Sequence, residues 1–421
     1  MTEDKKKDRP YLTNSTADIW TDCQMKYKYR IEDGLRVEVA APALSFGDLW
    51  HRFQENYWKG LANGATAEEV LVGLDIAIDE WERERKQSFI GYAERVNDHR
   101  RAMGAIYSIA KLKELSLLDV LDYLNQTPKE NIPEMIAKCR GMADRYVKKY
   151  HGHDADRWEV LDVEKQFIFP LMTLSGHRSS WDYRGKFDAA VKDKATGLIY
   201  VIEHKTMADS INPEAYKREL PLKPQPKGYL WAIRQLYGSG HGVIYNVARK
   251  KLPCEPMVLQ KAQEGRNLSV AKGLDTTPEI WLAAIRTHNP EMVIESSAGV
   301  IIKDEKYRTI YESLRAKGDT FMFRHEMSIP DSDIREWEID RWRVARSIGL
   351  AKSSKASGYT RNYNACFNIG RSCEFRDICL DRETGHLCMS RFIKEETHGA
   401  PELDHDAEEQ SSSLDDIPFG N

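Results

Sequence analysis

What this sequence lacks narrows its function before any motif is considered. No stretch approaches about eighteen consecutive apolar residues, so no membrane span is expected. Met1 to Pro10 is charged with no apolar run behind it, which excludes a secretory signal there and leads to the expectation of a cytoplasmic protein. No G-x-x-x-x-G-K-[ST] loop occurs, so ATP hydrolysis by that route is excluded, and any unwinding of a duplex falls to a partner. The compact C-x-x-x-C-x-x-C spacing of iron-sulfur radical enzymes is also missing, as is a glycine-rich nucleotide loop. Charge of one sign is scarce, since 62 Lys and Arg stand against 66 Asp and Glu for a net −4. That balance hides an asymmetry. The segment after Pro401 holds acidic residues and no Lys or Arg, so the body before it is modestly basic, which permits a nucleic-acid partner without requiring one.

What is present is a chain of 421 residues, 41% hydrophobic, long enough for two or three structural units around a real core. Residues 1–13 are expected to be disordered. Residues 14–60 read as two helices, the first beginning at Asn14 or Ser15 with Ile19, Trp20, Cys23 and Tyr27 on one face, the second capped by Ser45. From 61 to 157 the apolar spacing stays at three and four, as in a helical insertion. Around Trp158 the period changes: 158–173, 183–192 and 198–206 are rich in β-branched and aromatic residues and bounded by turns, as in an antiparallel meander. A helix over Gln225 to Tyr237 and a strand over Gly242 to Ala248 complete a β-β-β-α-β core within 158–255. The fold expected is therefore α/β of mixed type, a mixed sheet flanked by helices. Residues 256–360 read as mainly helical with one possible strand at Thr320 to Ser328, 361–390 as a cysteine-bearing loop, and 395–421 as a disordered acidic tail.

The strand Leu198 to Ile202 is nearly all apolar, yet it runs into Glu203-His204-Lys205. Glu203 and Lys205 are two apart and share a face, while Asp188 ends the apolar half of the neighbouring strand, so two carboxylates and an ammonium can meet. Carboxylates with a backbone carbonyl, here that of His204, suit Mg²⁺ or Mn²⁺, and Lys205 would orient the attacking water or stabilise developing phosphate charge. The reaction class is phosphodiester hydrolysis. The plain alternative is a surface ion pair at a strand end. Gln225 and Tyr229, four apart on the next helix, and His51, one turn after Gly47, add weight to a site. Glu164, in the first strand, has two readings, an accessory site residue or, more simply, a solvent-facing strand charge, and stays outside the core set.

Gly47-x-x-x-His51, Gly185-x-Phe187-Asp188, Glu203-x-Lys205 and Gln225-x-x-x-Tyr229 together resemble, in residue type and order, the RecB-like PD-(D/E)XK nucleases, including Cas4 and the AddB nuclease domain. The resemblance covers 12–60 and 158–390 and implies a restriction-endonuclease-like core. It also implies that His51, Asp188 and Glu203 ligate the metal, that Lys205 is catalytic, and that Gln225 and Tyr229 line the site near DNA.

Seven cysteines in a reducing compartment are not read as disulfides. Cys366-x6-Cys373-x5-Cys379 lies in a polar loop where ligation is the better reading, and three thiolates leave a tetrahedral metal or a four-iron cluster one ligand short. By the same resemblance the fourth ligand is Cys23 and the group a [4Fe-4S] cluster. Cys388 is the rival ligand and structural Zn²⁺ the rival occupant. The reading is a DNA nuclease, an exonuclease in recombination, repair or phage DNA metabolism, with single strands or duplex ends as substrate and a helicase or other repair protein as partner. The alternatives are a non-cleaving DNA-binding scaffold with the same fold and an iron-sulfur redox protein. Leu414 to Phe419 resembles the acidic tip of bacterial single-stranded-DNA-binding proteins, although Gly420 and Asn421 displace the terminal carboxylate.

Overall fold

The computed structural model describes residues 9–37, 46–99, 107–124, 131–207, 213–271, 273–297, 299–354, 358–368, 371–380, 389 and 392–394. Ser45, Cys388 and the 395–421 tail, each the subject of an expectation above, lie outside the described residues.

A mixed sheet of six strands organises the chain: β1 (Tyr11–Leu12), β2 (Trp158–Met172), β3 (Arg178–Asp193), β4 (Ile199–Met207), β5 (Gly242–Arg249) and β6 (Met322–Ser328). Strands β2, β3 and β4 form the expected antiparallel meander, while β5 runs parallel to β4 and β6 returns antiparallel to β5. Helices cover both faces, which is why β4 and β5 read as almost unbroken apolar runs. The principal helices are α1 (Asn14–Asp22), α2 (Phe46–Ala62), α3 (Ala67–His99), α4 (Ile132–Arg157), α5 (Pro224–Tyr237) and α6 (Asp331–Ser353).

Alternation along the strands sorts the core into two layers. Ile202 and Ile244 pack with Trp50, Phe53, Trp58 and Tyr146 of α2 and α4, whereas Val201, Val243 and Val247 pack with Leu230, Trp231 and Trp337 of α5 and α6. The connection from β4 to β5 passes through α5, as a parallel pair requires.

Three sequence expectations change. Residues 9–13 are ordered, because Tyr11 and Leu12 pair in parallel with Asp182 and Tyr183 and Leu12 is buried. Helix α1 is capped by Thr13 rather than by Asn14 or Ser15: Thr13 Oγ1 accepts from Thr16 N–H (3.1 Å) and Thr16 Oγ1 accepts from Thr13 N–H (2.9 Å), a reciprocal capping box. The helical reading of 256–360 misses two antiparallel hairpins, 258–268 and 293–302, which pack with Trp281, Ile285 and Tyr307 around a small separate core.

Candidate active site

The ladder between β3 and β4 runs from Lys192↔Ile199 to Ala189↔Ile202 and stops there. Asp188 and Glu203 are the next residue on each strand. Past this point β4 stays paired to β5 as far as Met207↔Arg249, so its rigidity now comes from one edge alone. The His204 N–H, without a β3 carbonyl, donates to Asp188 Oδ2 at 2.6 Å. Gly185, in the Gly185-x-Phe187-Asp188 motif, is required by packing: a Cβ there would meet the Phe167 ring at 2.5 Å.

Glu203 and Lys205 form an ion pair on the face covered by α5. Gln225 Oε1 lies 3.4 Å from Lys205 Nζ, and Gln225 Nε2 donates to the Tyr229 hydroxyl at 2.7 Å, so α5 holds the ammonium through one amide. His51, one-third exposed on α2, places Nδ1 3.7 Å from Asp188 Oδ2. The structure thus brings together His51, Asp188, Glu203, Lys205, Gln225 and Tyr229, drawn from α2, β3, β4 and α5.

Charge in this cleft is finely balanced. Burial, with the neighbouring Glu164 carboxylate, pushes Asp188 up to about 7; burial and Asp188 push Glu203 up to about 7. Burial works against the Lys205 charge, but the Glu203 contact outweighs it and the ammonium is held above its ordinary range. His51 is shifted down, chiefly by burial, and so favours the neutral ring that can bind a metal. Glu203 is 2% exposed and its Oε2 has no hydrogen-bond partner, a costly arrangement for an acceptor that nothing approaches.

Two further residues belong here. Glu164 faces Asp188 across the gap between Val163↔Ala189 and Lys165↔Phe187, pairs with Lys186 at 2.5 Å, and has φ +54°, a left-handed backbone that a non-glycine residue seldom adopts. Its assignment as a solvent-facing charge is therefore corrected: it acts electrostatically on both Asp188 and His51. Tyr216, on the short helix Pro213–Glu219, lies within electrostatic reach of Lys205 and Glu203, its phenol raised above its ordinary range chiefly by burial. Strand periodicity gave a signal for Glu164, which sits two strands from Glu203 in the same meander; nothing in the sequence distinguished Tyr216 from any other helical tyrosine.

A family profile described as the PD-(D/E)XK nuclease superfamily matches residues 11–380. The chain belongs to the PD-(D/E)XK nuclease superfamily. No curated protein matches the sequence. Nucleases of this superfamily typically use Mg²⁺ or Mn²⁺, and the donors present suit such an ion: two carboxylates that repel each other, one with a buried unpaired oxygen, beside a backbone carbonyl and a neutral imidazole. Among the described residues, no three His, Cys, Asp or Glu side chains are already gathered as a finished ligand set. Asp188 is engaged by the His204 N–H and Glu203 by Lys205.

In this nuclease residues 22–25 and 360–362 meet beside α1. Cys23 interrupts the helical run between α1 and Gln24–Tyr27 in an extended conformation. Asn362 donates to the Asp22 carbonyl (2.8 Å), Thr360 N–H to Gln24 Oε1 (3.0 Å) and Met25 N–H to the Thr360 carbonyl (3.2 Å). Cys379 is raised by burial and lies within electrostatic reach of Cys23 and Cys366, as Cys373 does of Cys366. Cys139, by contrast, is buried in the apolar layer under α2 and α4, and Cys254 is exposed. Among the described residues no helix is long and apolar enough to cross a membrane.

Proposed function

We propose that the chain is a Mg²⁺- or Mn²⁺-dependent deoxyribonuclease of the RecB-like branch, similar to Cas4 and the AddB nuclease domain. It acts as a cytoplasmic exonuclease on single strands or duplex ends in recombination, repair or phage DNA metabolism. The observation that carries this reading is the meeting of Asp188, Glu203 and Lys205 where β3 and β4 part, with one Glu203 oxygen buried and unpaired.

Asp188, Glu203, His51 and the His204 carbonyl are the groups that would hold the ion. When bound, it supplies Lewis acidity toward a phosphate oxygen and lowers the pKa of water. The chain's own residues do the rest. Lys205 presents its ammonium to the attacking water or the developing phosphate charge, Gln225 fixes that ammonium from α5, and Tyr229 fixes Gln225. Burial around Glu203 and Tyr229 limits water at the reacting centre, where a preorganised charge is worth most.

We further propose that Cys23, Cys366, Cys373 and Cys379 ligate a [4Fe-4S] cluster, with structural Zn²⁺ as the competing occupant. The contacts that join 22–25 to 360–362, and the electrostatic reach of Cys379 to Cys23 and Cys366, support it. Closing so long a loop restricts the unfolded chain, which gives the group a structural role.

The test is incubation of purified protein with end-labelled single- and double-stranded DNA, with Mg²⁺, with Mn²⁺ and with EDTA. Metal-dependent loss of label from the ends supports the exonuclease. DNA binding without cleavage would instead identify a scaffold that kept the fold. A helicase partner is tested by whether adding one extends degradation of blunt duplex.

A further inference from the structure

On the side of β4 away from Glu203 and Lys205, the strand carries a histidine where a sheet covered on both faces ordinarily carries aliphatic residues. His204 is 1% exposed, its ring stacked 6.4 Å from Trp58. Its register partner on β5 is Asn246, also buried, with Nδ2 2.8 Å from His204 Nδ1. Arg324, on β6, decides which way that amide faces. A guanidinium only donates, and its Nε lies 3.4 Å from Asn246 Oδ1, so the amide nitrogen is the atom turned toward His204. With that orientation Asn246 Nδ2, which also has Gln54 Oε1 at 3.2 Å, donates to His204 Nδ1, and this leaves the ring proton on Nε2, a buried nitrogen with no hydrogen-bond partner among the described residues.

The contacts continue into α4. Arg324 meets Asp154 through two bonds of 2.5 and 2.7 Å, and Asp154, fully buried, also accepts from the Tyr57 hydroxyl at 2.6 Å. The Tyr146 hydroxyl accepts from Arg324 (2.7 Å) and from Asn246 (2.8 Å). An apolar layer would cost less than an ion pair and several polar side chains buried here, unless they fix something. What they adjoin is the peptide run on which the site depends: the His204 N–H donates to Asp188, and His204 separates Glu203 from Lys205 along the strand.

We infer that the buried network of Asn246, Arg324, Asp154 and Tyr146 is a positioning device. It locks the His204 ring, and through it the Glu203-His204-Lys205 backbone, in the orientation that divalent-cation binding demands. The inference rests on the nuclease reading of the site. It makes α4, which supplies Tyr146 and Asp154, part of the active-site frame rather than an appendage to it.

The experiment is Mn²⁺ titration of the full-length protein without DNA, followed by electron paramagnetic resonance, alongside cleavage at saturating Mn²⁺ and thermal unfolding as a check on folding. Asn246→Leu, close in size but without the donor, should weaken Mn²⁺ about tenfold or more, within the roughly 10- to 100-fold range typical of groups that orient metal ligands. His204→Leu should weaken it similarly. His204→Asn, smaller but with an oxygen able to accept where Nδ1 does, should bind Mn²⁺ within about threefold of the parent. Packing alone predicts the reverse order, because Leu fills the space that Asn leaves open. Unchanged Mn²⁺ affinity in Asn246→Leu, or tighter binding by His204→Leu than by His204→Asn, overturns the positioning role. Should Asn246→Leu fail to fold, the order of the two His204 variants decides. A parent that binds Mn²⁺ but cleaves no DNA refutes the nuclease reading while leaving the affinity order decisive, and a parent that binds no Mn²⁺ overturns both.

Discussion

Replacing Asp188 with Asn should stabilise the metal-free protein while abolishing its activity. In the folded chain the Asp188 carboxyl is pushed up to about 7 from 3.8, by burial first and then by Glu164. The folded state therefore holds its proton more tightly than the unfolded state does. Stability contributed by this group falls as pH rises from about 4 to 7, and the full penalty of the buried charge is present above that. A shift of about three units, at ~1.4 kcal/mol per unit, corresponds to about 4 kcal/mol for an isolated group. Glu203, also at about 7, repels the same charge, so the two share one titration, and about 2 kcal/mol is the expected gain from removing one of them. The amide oxygen of Asn can still accept the His204 N–H, so this hydrogen bond is not lost.

The assay is thermal unfolding at pH 8 in EDTA, where a gain of about 2 kcal/mol raises the midpoint by a few degrees. The advantage should shrink toward pH 5, where the parent carboxyl is protonated. Added Mn²⁺ should reverse the order, because an ion at about a hundred times its dissociation constant stabilises the parent by about 2.7 kcal/mol and the variant much less. A variant less stable than the parent at pH 8 in EDTA, or one that gains as much from Mn²⁺, refutes the reasoning.

Lys205→Met should lower cleavage by at least about a hundredfold at saturating metal while DNA affinity, measured in Ca²⁺, is retained, since the ammonium acts on charge that develops during reaction. Retention of a tenth of the rate would remove Lys205 from the mechanism. Protein purified without oxygen should be brown with about four irons per chain; Cys23→Ser, Cys366→Ser, Cys373→Ser and Cys379→Ser should each lose iron, whereas Cys139→Ser, in the apolar layer, should not. One zinc and no colour would settle the site for Zn²⁺. Thr13→Ala breaks the capping box of α1 and should cost about 1 kcal/mol in denaturant unfolding, with cleavage unchanged at permissive temperature.

The meander and its crossover were legible because their signals are local. A β-branched run bounded by Ser175-Gly176 or by Asp193 to Gly197 reads as a strand wherever it later pairs. Strand β1 was not, since two residues carry no period and its partner lies 171 positions away, from Tyr11 to Asp182. The 258–302 hairpins were missed for another reason: Val258–Gln263 is mostly exposed, so it lacks the alternation that a half-buried strand shows. In the site, Asp188, Glu203 and Lys205 stood out because charge at the end of a buried apolar strand is anomalous. Asn246 shows the same anomaly, a polar residue inside Gly242–Arg249, but without a charge it is a far weaker signal. The left-handed backbone of Glu164 has no sequence signature at all.

Strand β4 places two kinds of work on its two faces. Glu203 and Lys205 look toward α5, where Gln225, itself held by Tyr229, contacts the Lys205 ammonium. His204 looks toward α2 and α4, where Trp58, Asn246 and Arg324 fix the backbone that carries both reactive side chains. Because adjacent residues cannot share a face, a substitution on α4 reaches metal binding through the backbone of β4 or through His51 on the neighbouring α2, while one on α5 reaches Lys205 directly. The two helices are therefore separable by experiment. Changes around Arg324 and Asp154 should appear in metal affinity, and changes around Gln225 in turnover at saturating metal, even though both sets of contacts converge within one residue of the same strand.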